Sequence, residues 1–287
     1  MEPSIALAAR CVAPGGAQPP VSSDGRSGQP EYCRRPLYLC ARVKARVDAD
    51  GAALRVRSSG RCEARYPLYR VSRVIASNRV DWSAAALEAC LQSGIPIVIV
   101  AGSGVALGLL QPAHPASSRL SEDMDELLDR EDWREIYGNW LRATRMRILR
   151  EWRTAREAAG GPLDYGEFAD MVKKYVYGPA NPGPVEQTVS VWRAALVALA
   201  ATGLHHAGLQ PVHWGAGGTP LNLLDDLARV LELGLRIEVR GNMGQELNDE
   251  ALALKVFHAV SEKLDAQCAR IVLSLARRLK QVLAEWR

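Results

Sequence analysis

The chain has 287 residues, of which 48% are hydrophobic and 24% are charged, values that fit a globular protein of one large or two ordinary domains. Its formal net charge of +4 is compatible with contact to a polyanion without requiring it. No run approaches the roughly 18 apolar residues of a membrane span, and the N-terminus lacks the pattern of a signal peptide, so we expect no membrane contact. The six cysteines form no CxxC pair, which argues against zinc and favours a reducing, cytoplasmic setting.

The first 34 residues differ in composition from the rest of the chain. They are rich in Pro, Gly, Ser and Ala and show little apolar periodicity. Such a segment cannot bury enough apolar surface to offset its conformational entropy. We therefore predict a disordered tail over residues 1–34.

The segment 35–112 has the pattern of a small β domain. LYLCARVKARV and ALRVRS read as strands, and the turn between them contains Asp50-Gly51, which predicts a hairpin. From Tyr66 to Pro112 the pattern is strand, short helix, strand, turn, strand. The apolar strand Ile97–Ala101 is interpreted as an edge strand, and the following QPAHPASSRL as a linker.

The segment 113–287 has helical spacing. A long helix with an acidic start is expected after Ser121, which we take as its cap, and it would end at Gly160-Gly161-Pro162. Later helices are expected over Tyr165–Val176, Val185–Leu204, Pro220–Leu233 and, as one or two helices, Asn248–Trp286. The predicted fold class is α+β, a small N-terminal β domain followed by an all-helical C-terminal domain.

The elements between Tyr66 and Pro112 occur in a recognisable order. A strand ends in a polar turn at Asn78, and a helix of small residues follows, with Leu87 and Cys90 on its inner face. Then come Gly94-Ile95-Pro96, the apolar strand and a glycine turn. In this order the segment resembles the N-terminal domain of the CRISPR-associated spacer integrases, the adaptation endonucleases.

The resemblance implies an N-terminal domain that mediates dimerisation and a helical domain that holds a metal site. Family members are homodimers that clamp a small second adaptation protein, capture DNA and join its 3′ ends to a CRISPR repeat. The partners it implies are therefore double-stranded or branched DNA, a second copy of the chain and other CRISPR-associated subunits.

The metal ligands that the resemblance implies are a Glu, a His and an Asp, which suit Mg²⁺ or Mn²⁺. Alignment on the turn Gly208-Leu209-Gln210-Pro211 puts Ala216 or Gly217 where the His should be. Asp226 keeps the first acid of the next helix, and Arg229 replaces the second. Glu167 is the nearest match to the Glu. Because the chain departs from the family pattern at these positions, we expect a vestigial metal site without a cofactor.

Two other interpretations of these residues remain open. His213 precedes the expected histidine position by three or four residues, and a local rearrangement could bring it together with Glu167 and Asp226 to bind Mg²⁺ or Mn²⁺. Alternatively, His213 is a surface residue beside Trp214 and Asp226 is a solvated acid in a helix cap.

Five arginines of the long helix form a second candidate site. At 100° per residue they fall within an arc of roughly 140°, which could line a DNA backbone. Alternatively, this is a solvated face balanced by the acidic run Glu122–Glu135 earlier on the same helix. The residues are Arg142, Arg145, Arg150, Arg153 and Arg156.

Three functions are consistent with these patterns. The first is a catalytically impaired integrase homologue that acts as a DNA-binding or assembly subunit in CRISPR defence. The second is an active metal-dependent endonuclease or integrase that inserts spacers. The third is a protein-interaction subunit of a CRISPR effector complex without DNA contact.

Overall fold

The computed structural model describes residues 34–39, 44–58, 62–101, 106–113, 118–159, 165–178, 187–215, 221–242 and 250–286. The predicted tail lies outside these residues except for Arg34. The chain divides into two compact units: the first comprises residues 1–102 and 107–112, and the second comprises residues 113–287 together with 103–106. The first is rich in strands and the second is helical, so the predicted α+β fold class is confirmed.

The first unit contains eight described strands, one α-helix and a 3₁₀ helix, Leu68–Arg70. The strands are β1 Arg35–Leu39, β2 Ala45–Asp50, β3 Ala53–Ser58, β4 Ala64–Pro67, β5 Val71–Ser77, β6 Val80–Trp82, β7 Ile97–Val100 and β8 Ala106–Leu110, and α1 is Ala84–Gln92. They form two four-stranded sheets, with the orders β1-β5-β7-β8 and β4-β3-β2-β6.

The hairpin predicted at Asp50-Gly51 is confirmed. Strands β2 and β3 pair antiparallel from Ala45 opposite Ser58 to Asp50 opposite Ala53. Gly51 has a φ of 59°, in the left-handed region that glycine enters without a steric penalty.

The prediction that Ile97–Ala101 is an edge strand is wrong. β7 pairs parallel with β5 and lies between β5 and β8 in the sheet. Ile97, Val98 and Val100 are buried. Parallel strands covered on both faces form continuous apolar runs, so the run that suggested an exposed edge is the signature of an interior strand.

The second unit is built from six described helices and a short 3₁₀ helix, Pro211–Trp214. The single long helix predicted after Ser121 is in fact two, and the break lies at Asp129–Asp132. The helices are α2 Arg119–Leu128, α3 Trp133–Ala158, α4 Tyr165–Tyr175, α5 Gln187–His206, α6 Leu223–Asn242 and α7 Glu250–Trp286.

The cap of α2 is Ser118 rather than Ser121. The Ser118 side chain accepts a hydrogen bond from the Ser121 amide at 3.2 Å, and Ser121 itself is buried. At the break, the Arg130 guanidinium binds both carboxylate oxygens of Asp132 at 2.8 Å. Most of the acidic run therefore lies on α2 and the break, and only Glu135 shares a helix with the arginines.

Helices α5, α6 and α7 pack against one another and form the core of the second unit. Most described side chains of α5 are buried, as its apolar sequence predicts. α7 is a single helix of 37 residues. Of the helices that the structure describes, none has the length and apolarity needed to cross a membrane.

Candidate functional site

Asp226 lies in the first turn of α6 and is half-buried. Its Oδ2 accepts a hydrogen bond from the hydroxyl of Tyr137 on α3 at 3.0 Å. Burial raises the pKa of Asp226, and the hydrogen bond from Tyr137 and the charge of Arg145 offset this only in part. Asp226 is therefore not a solvated cap residue, as one interpretation held.

Tyr137 is a buried residue whose hydroxyl stays protonated. Burial raises its pKa well above the usual value, and the negative charge of Asp226 raises it further. Tyr137 is thus a fixed hydrogen-bond donor to the carboxylate, and it cannot supply an anionic ligand at neutral pH.

Two guanidinium groups lie near Asp226. Arg145 of α3 donates to the carbonyl of Tyr175 at 3.4 Å, and the charge of Asp226 raises its pKa although burial lowers it overall. Arg229, one turn further along α6, donates to Oδ2 of Asp225 at 2.7 Å. The charges of both arginines act on the Asp226 carboxyl. Two positive charges therefore act on Asp226, and the neighbouring Asp225 carboxylate offsets them in part.

An ion-pair network extends from this point along α6. Arg193 of α5 binds Asp225 and lies 3.6 Å from Glu232. Glu232 in turn accepts from Arg236 at 2.9 Å. Asp225 is thus bound by cations from two helices, and the network joins α5 to α6.

His213 is buried, with 1% of its side chain exposed, so the interpretation of a surface histidine is wrong. Its Nε2 lies 2.8 Å from Oδ1 of Asp125 on α2. Nearby in sequence, the hydroxyl of Ser118 donates to the carbonyl of Gly208 at 2.8 Å, and Gly208 has a φ of 78°. His213 and Ser118 therefore both tie α2 to the segment 208–214.

Glu167 lies in the first turn of α4, and its Oε2 is 3.6 Å from Nη1 of Arg156. Glu167, His213 and Asp226 thus have contacts with different residues, namely Arg156, Asp125 and Tyr137. Within the described ranges no three His, Cys, Asp or Glu side chains are grouped so that they could hold a metal ion. Ala216 and Gly217 lie outside the described residues.

The groups around Asp226 do not fit a hard divalent cation. Mg²⁺ binds through several oxygen ligands, often carboxylates and waters. Among the described residues, the Tyr137 hydroxyl that donates to Asp226 is protonated, and the carboxylate of Asp225 is bound to Arg193 and Arg229. A cation at this position would also face the charges of Arg145 and Arg229.

The five arginines of α3 do not share one environment. α4 packs against this side of α3, and Leu149, which lies within the arginine arc, is fully buried. Arg142 and Arg150 are exposed, whereas Arg145 faces the Asp226 site.

The two remaining arginines have acidic and aromatic neighbours. Arg153 lies 3.6 Å from Glu157 and over the ring of Phe168, and Arg156 lies over the ring of Trp152. A groove of about 470 Å³ opens between α3 and α4 and is lined by Met146, Arg150, Arg153, Phe168, Ala169, Val172, Lys173 and Tyr177.

Sequence reasoning missed the partners that define these environments. Tyr137 is 89 residues from Asp226, and Asp125 is 88 residues from His213. No local spacing connects residues so far apart. Only the adjacent acids Asp225 and Asp226, at the start of a helix rich in arginine, gave a sign of an ion-pair network.

The comparisons with known proteins agree with the fold. The sequence model of the family described as CRISPR associated protein Cas1 matches residues 38–157. No curated protein matches the chain significantly in sequence. Among solved structures, a CAS1 protein from Thermotoga maritima is similar with a TM-score of 0.62 and 14% identity, over 85% of this chain and 96% of that one.

Two further structures are similar over much of the chain. One is a TtCas1–DNA complex, with a TM-score of 0.57 and 13% identity, covering 85% of this chain and 91% of that chain. The other is a Cas6-RT-Cas1–Cas2 complex, with a TM-score of 0.58 and 13% identity, covering 88% of this chain and 36% of that chain.

Residues 38–157 match the Cas1 family model, in agreement with the resemblance in the sequence, and the fold of the chain is similar to that of Cas1 structures. The matched range contains the arginines of α3. It does not include Glu167, His213 or Asp226.

Proposed function

We propose that this chain acts in CRISPR adaptation as a DNA-binding or assembly subunit whose own metal-dependent chemistry is impaired. Structures similar to it include a Cas1 protein with DNA and a Cas1–Cas2 complex, so DNA and a second adaptation protein are the partners that we propose for it. A homodimer in the cytoplasm is the working state that we propose.

The observation that carries the proposed impairment is the environment of Asp226. Its carboxylate is hydrogen-bonded to Tyr137, and Arg229 lies where the resemblance implies a second acid. Without a metal ion, the phosphodiester transition state loses a stabilising charge worth several kcal/mol. We expect turnover at least about a thousandfold below that of an active integrase, since each 1.36 kcal/mol corresponds to a factor of ten.

A strand-joining assay with Mn²⁺ and a branched DNA substrate tests this impairment. The parent chain is compared with the double variant Asp226→Ala, Glu167→Ala, and no Mn²⁺-dependent joining is expected from either. Robust joining by the parent that disappears in the double variant would contradict the proposal. In that case the chain is an active integrase, and His213→Ala would then test whether His213 supplies the missing ligand.

The proposed DNA contact is supported by the exposed arginines of α3. Arg142 and Arg150 lie on the same side of the helix and are exposed, and Arg150 lines the groove between α3 and α4. Arg145 is a poor choice for a test, because its substitution would also disturb Asp226. Affinity for a polyanion falls with salt because each phosphate contact releases counterions.

The variant Arg142→Glu, Arg150→Glu should therefore bind duplex and branched DNA of any sequence more weakly than the parent. Its control is Arg147→Glu, Lys263→Glu, which makes the same charge change at exposed residues outside the arginine arc. Equal binding by parent and first variant would show that the arginines are only solvated. No DNA binding by the parent at low salt would favour the protein-interaction function instead.

A further inference from the structure

The C-terminal half of α7 is strongly cationic. Residues 266–284 contain four Arg or Lys residues and no Asp or Glu. At 100° per residue, Arg270, Arg277 and Lys280 fall within an arc of about 80° and extend over about 15 Å of helix. All three side chains are exposed. They form what is called here the α7 cationic face.

The charges of this face are not compensated within the described part of the protein. No hydrogen bond or ion pair there involves Arg270, Arg277 or Lys280. By contrast, Lys263, earlier on the same helix, lies 2.9 Å from Glu238. The acidic helix α2 packs against α7, but Asp123 of α2 is bound to Arg119 and Asp125 to His213.

Small exposed side chains lie beside the cations and at both ends of the face. Ala266, Ala269 and Ala284 are exposed beside them, and Leu273 is the one large apolar side chain exposed on this stretch of α7, at 53%. Short side chains let the helix approach a rigid surface closely, so that the longer cations can reach it. A membrane-bound helix would need a broad exposed face of large apolar residues instead.

We propose that the α7 cationic face binds the phosphate backbone of duplex DNA, as a contact separate from the arginines of α3. This inference rests on the proposed function as a DNA-binding subunit. Each DNA strand presents one phosphate per about 3.4 Å of helix axis, so three cations spread over about 15 Å can meet different phosphates. The contact carries no sequence information, because phosphates are the same at every base pair.

The test compares the parent with the triple variant Arg270→Gln, Arg277→Gln, Lys280→Gln. Glutamine keeps side-chain length and helix propensity while removing the charge. Binding to a 30-base-pair duplex is measured across a salt series. Because each phosphate contact contributes about 0.9 to the slope of log affinity against log salt, the slope of the triple variant should be shallower by about 2.7.

A matched control separates this contact from net charge. Lys44→Gln, Arg147→Gln, Lys263→Gln also removes three positive charges from exposed side chains, and its slope should stay near that of the parent. A second pair acts at the centre of the face: Leu273→Glu should weaken binding by repelling phosphates, whereas Leu273→Gln should not. Thermal unfolding of each variant confirms that it is folded.

The possible outcomes distinguish failure of the α7 contact from failure of the proposed DNA-binding function. If the parent binds DNA and the α7 triple variant has the parent's slope, the inference fails while the proposed function stands. If both triple variants lose the same slope, only net charge matters and the inference fails. If the parent does not bind DNA, both fail, and loss of binding to phosphatidylserine vesicles by the α7 variant would assign the face to a membrane surface.

Discussion

Asp226 keeps an acid at the position that the resemblance assigns to a metal ligand, yet its surroundings differ from those of a metal site. Burial raises its pKa, and the Tyr137 hydroxyl supplies a hydrogen bond that lowers the pKa only in part. Arg229 binds the neighbouring Asp225 instead of contributing a second carboxylate. The arginine at position 229 therefore binds an acid of its own helix, where the resemblance implies a second carboxylate.

The raised pKa of Asp226 has a consequence for stability against pH. A carboxyl whose pKa is higher in the folded than in the unfolded chain stabilises the fold most at pH values below the unfolded pKa, and this contribution declines as the pH rises through the folded pKa. Asparagine cannot lose a proton. The free energy of unfolding of Asp226→Asn, relative to the parent, should therefore rise as the pH increases above the ordinary pKa of an aspartate, about 3.9.

Urea unfolding at several pH values measures this difference. The exposed Asp170 provides the control, because Asp170→Asn removes a carboxyl of the same kind that lies in solvent. If the relative stability of Asp226→Asn instead falls as the pH rises, the ionised carboxylate is stabilised by Arg145 and Arg229 more than burial disfavours it.

At the scale of elements, close packing between α5 and α7 depends on a glycine. A Cβ atom added at Gly203 would lie 2.5 Å from Sγ of Cys268, which is buried. Gly234 of α6 also faces α7, but there the nearest atom is the amide end of Gln267, a flexible side chain. Both glycines lie inside a helix. They differ in the α7 side chain that they face, which is a buried cysteine at Gly203 and a flexible glutamine at Gly234.

We expect Gly203→Ala to destabilise the protein by about 1 kcal/mol. The gain in helix propensity is about 1 kcal/mol, whereas overpacking a buried site costs about 1–3 kcal/mol. Gly234→Ala should be neutral or stabilising, because the end of Gln267 can move aside. Thermal and urea unfolding measure both changes.

The cause of the Gly203 effect is tested by a second substitution. Adding Cys268→Ala to Gly203→Ala removes the sulfur atom from the contact and should recover part of the lost stability, a coupling that a double-mutant cycle detects. Additive effects of the two substitutions would show that the sulfur contact is not the source.

At the scale of the whole molecule, the dimer predicted through the segment 35–112 stays a prediction. One reason for it, an exposed apolar edge at Ile97–Ala101, no longer holds, because β7 lies inside its sheet. The family resemblance remains as its basis. Light scattering at micromolar concentration should give twice the monomer mass, and a clean monomer would contradict the prediction.

The sequence alone indicated the resemblance to the Cas1 family, the α+β class and the order of most elements. These follow from local patterns: the Asp50-Gly51 turn, the apolar run at Ile97 and the helical spacing after Pro112. Local patterns also identified Asp226 and Arg229, because they lie on one helix. Where local reasoning failed, at the break after Asp129 and at β7, the outcome depended on capping contacts and on neighbouring strands.

Only the tertiary structure decided which side chains meet. It brings Tyr137 to Asp226 and Asp125 to His213, across more than 80 residues of chain, and it covers part of the arginine arc with α4. Helical periodicity places a residue on a face of its own helix, but it cannot say which element packs there. Burial, hydrogen bonding and pKa depend on that packing, so the chemistry of each candidate residue became visible only in the folded chain.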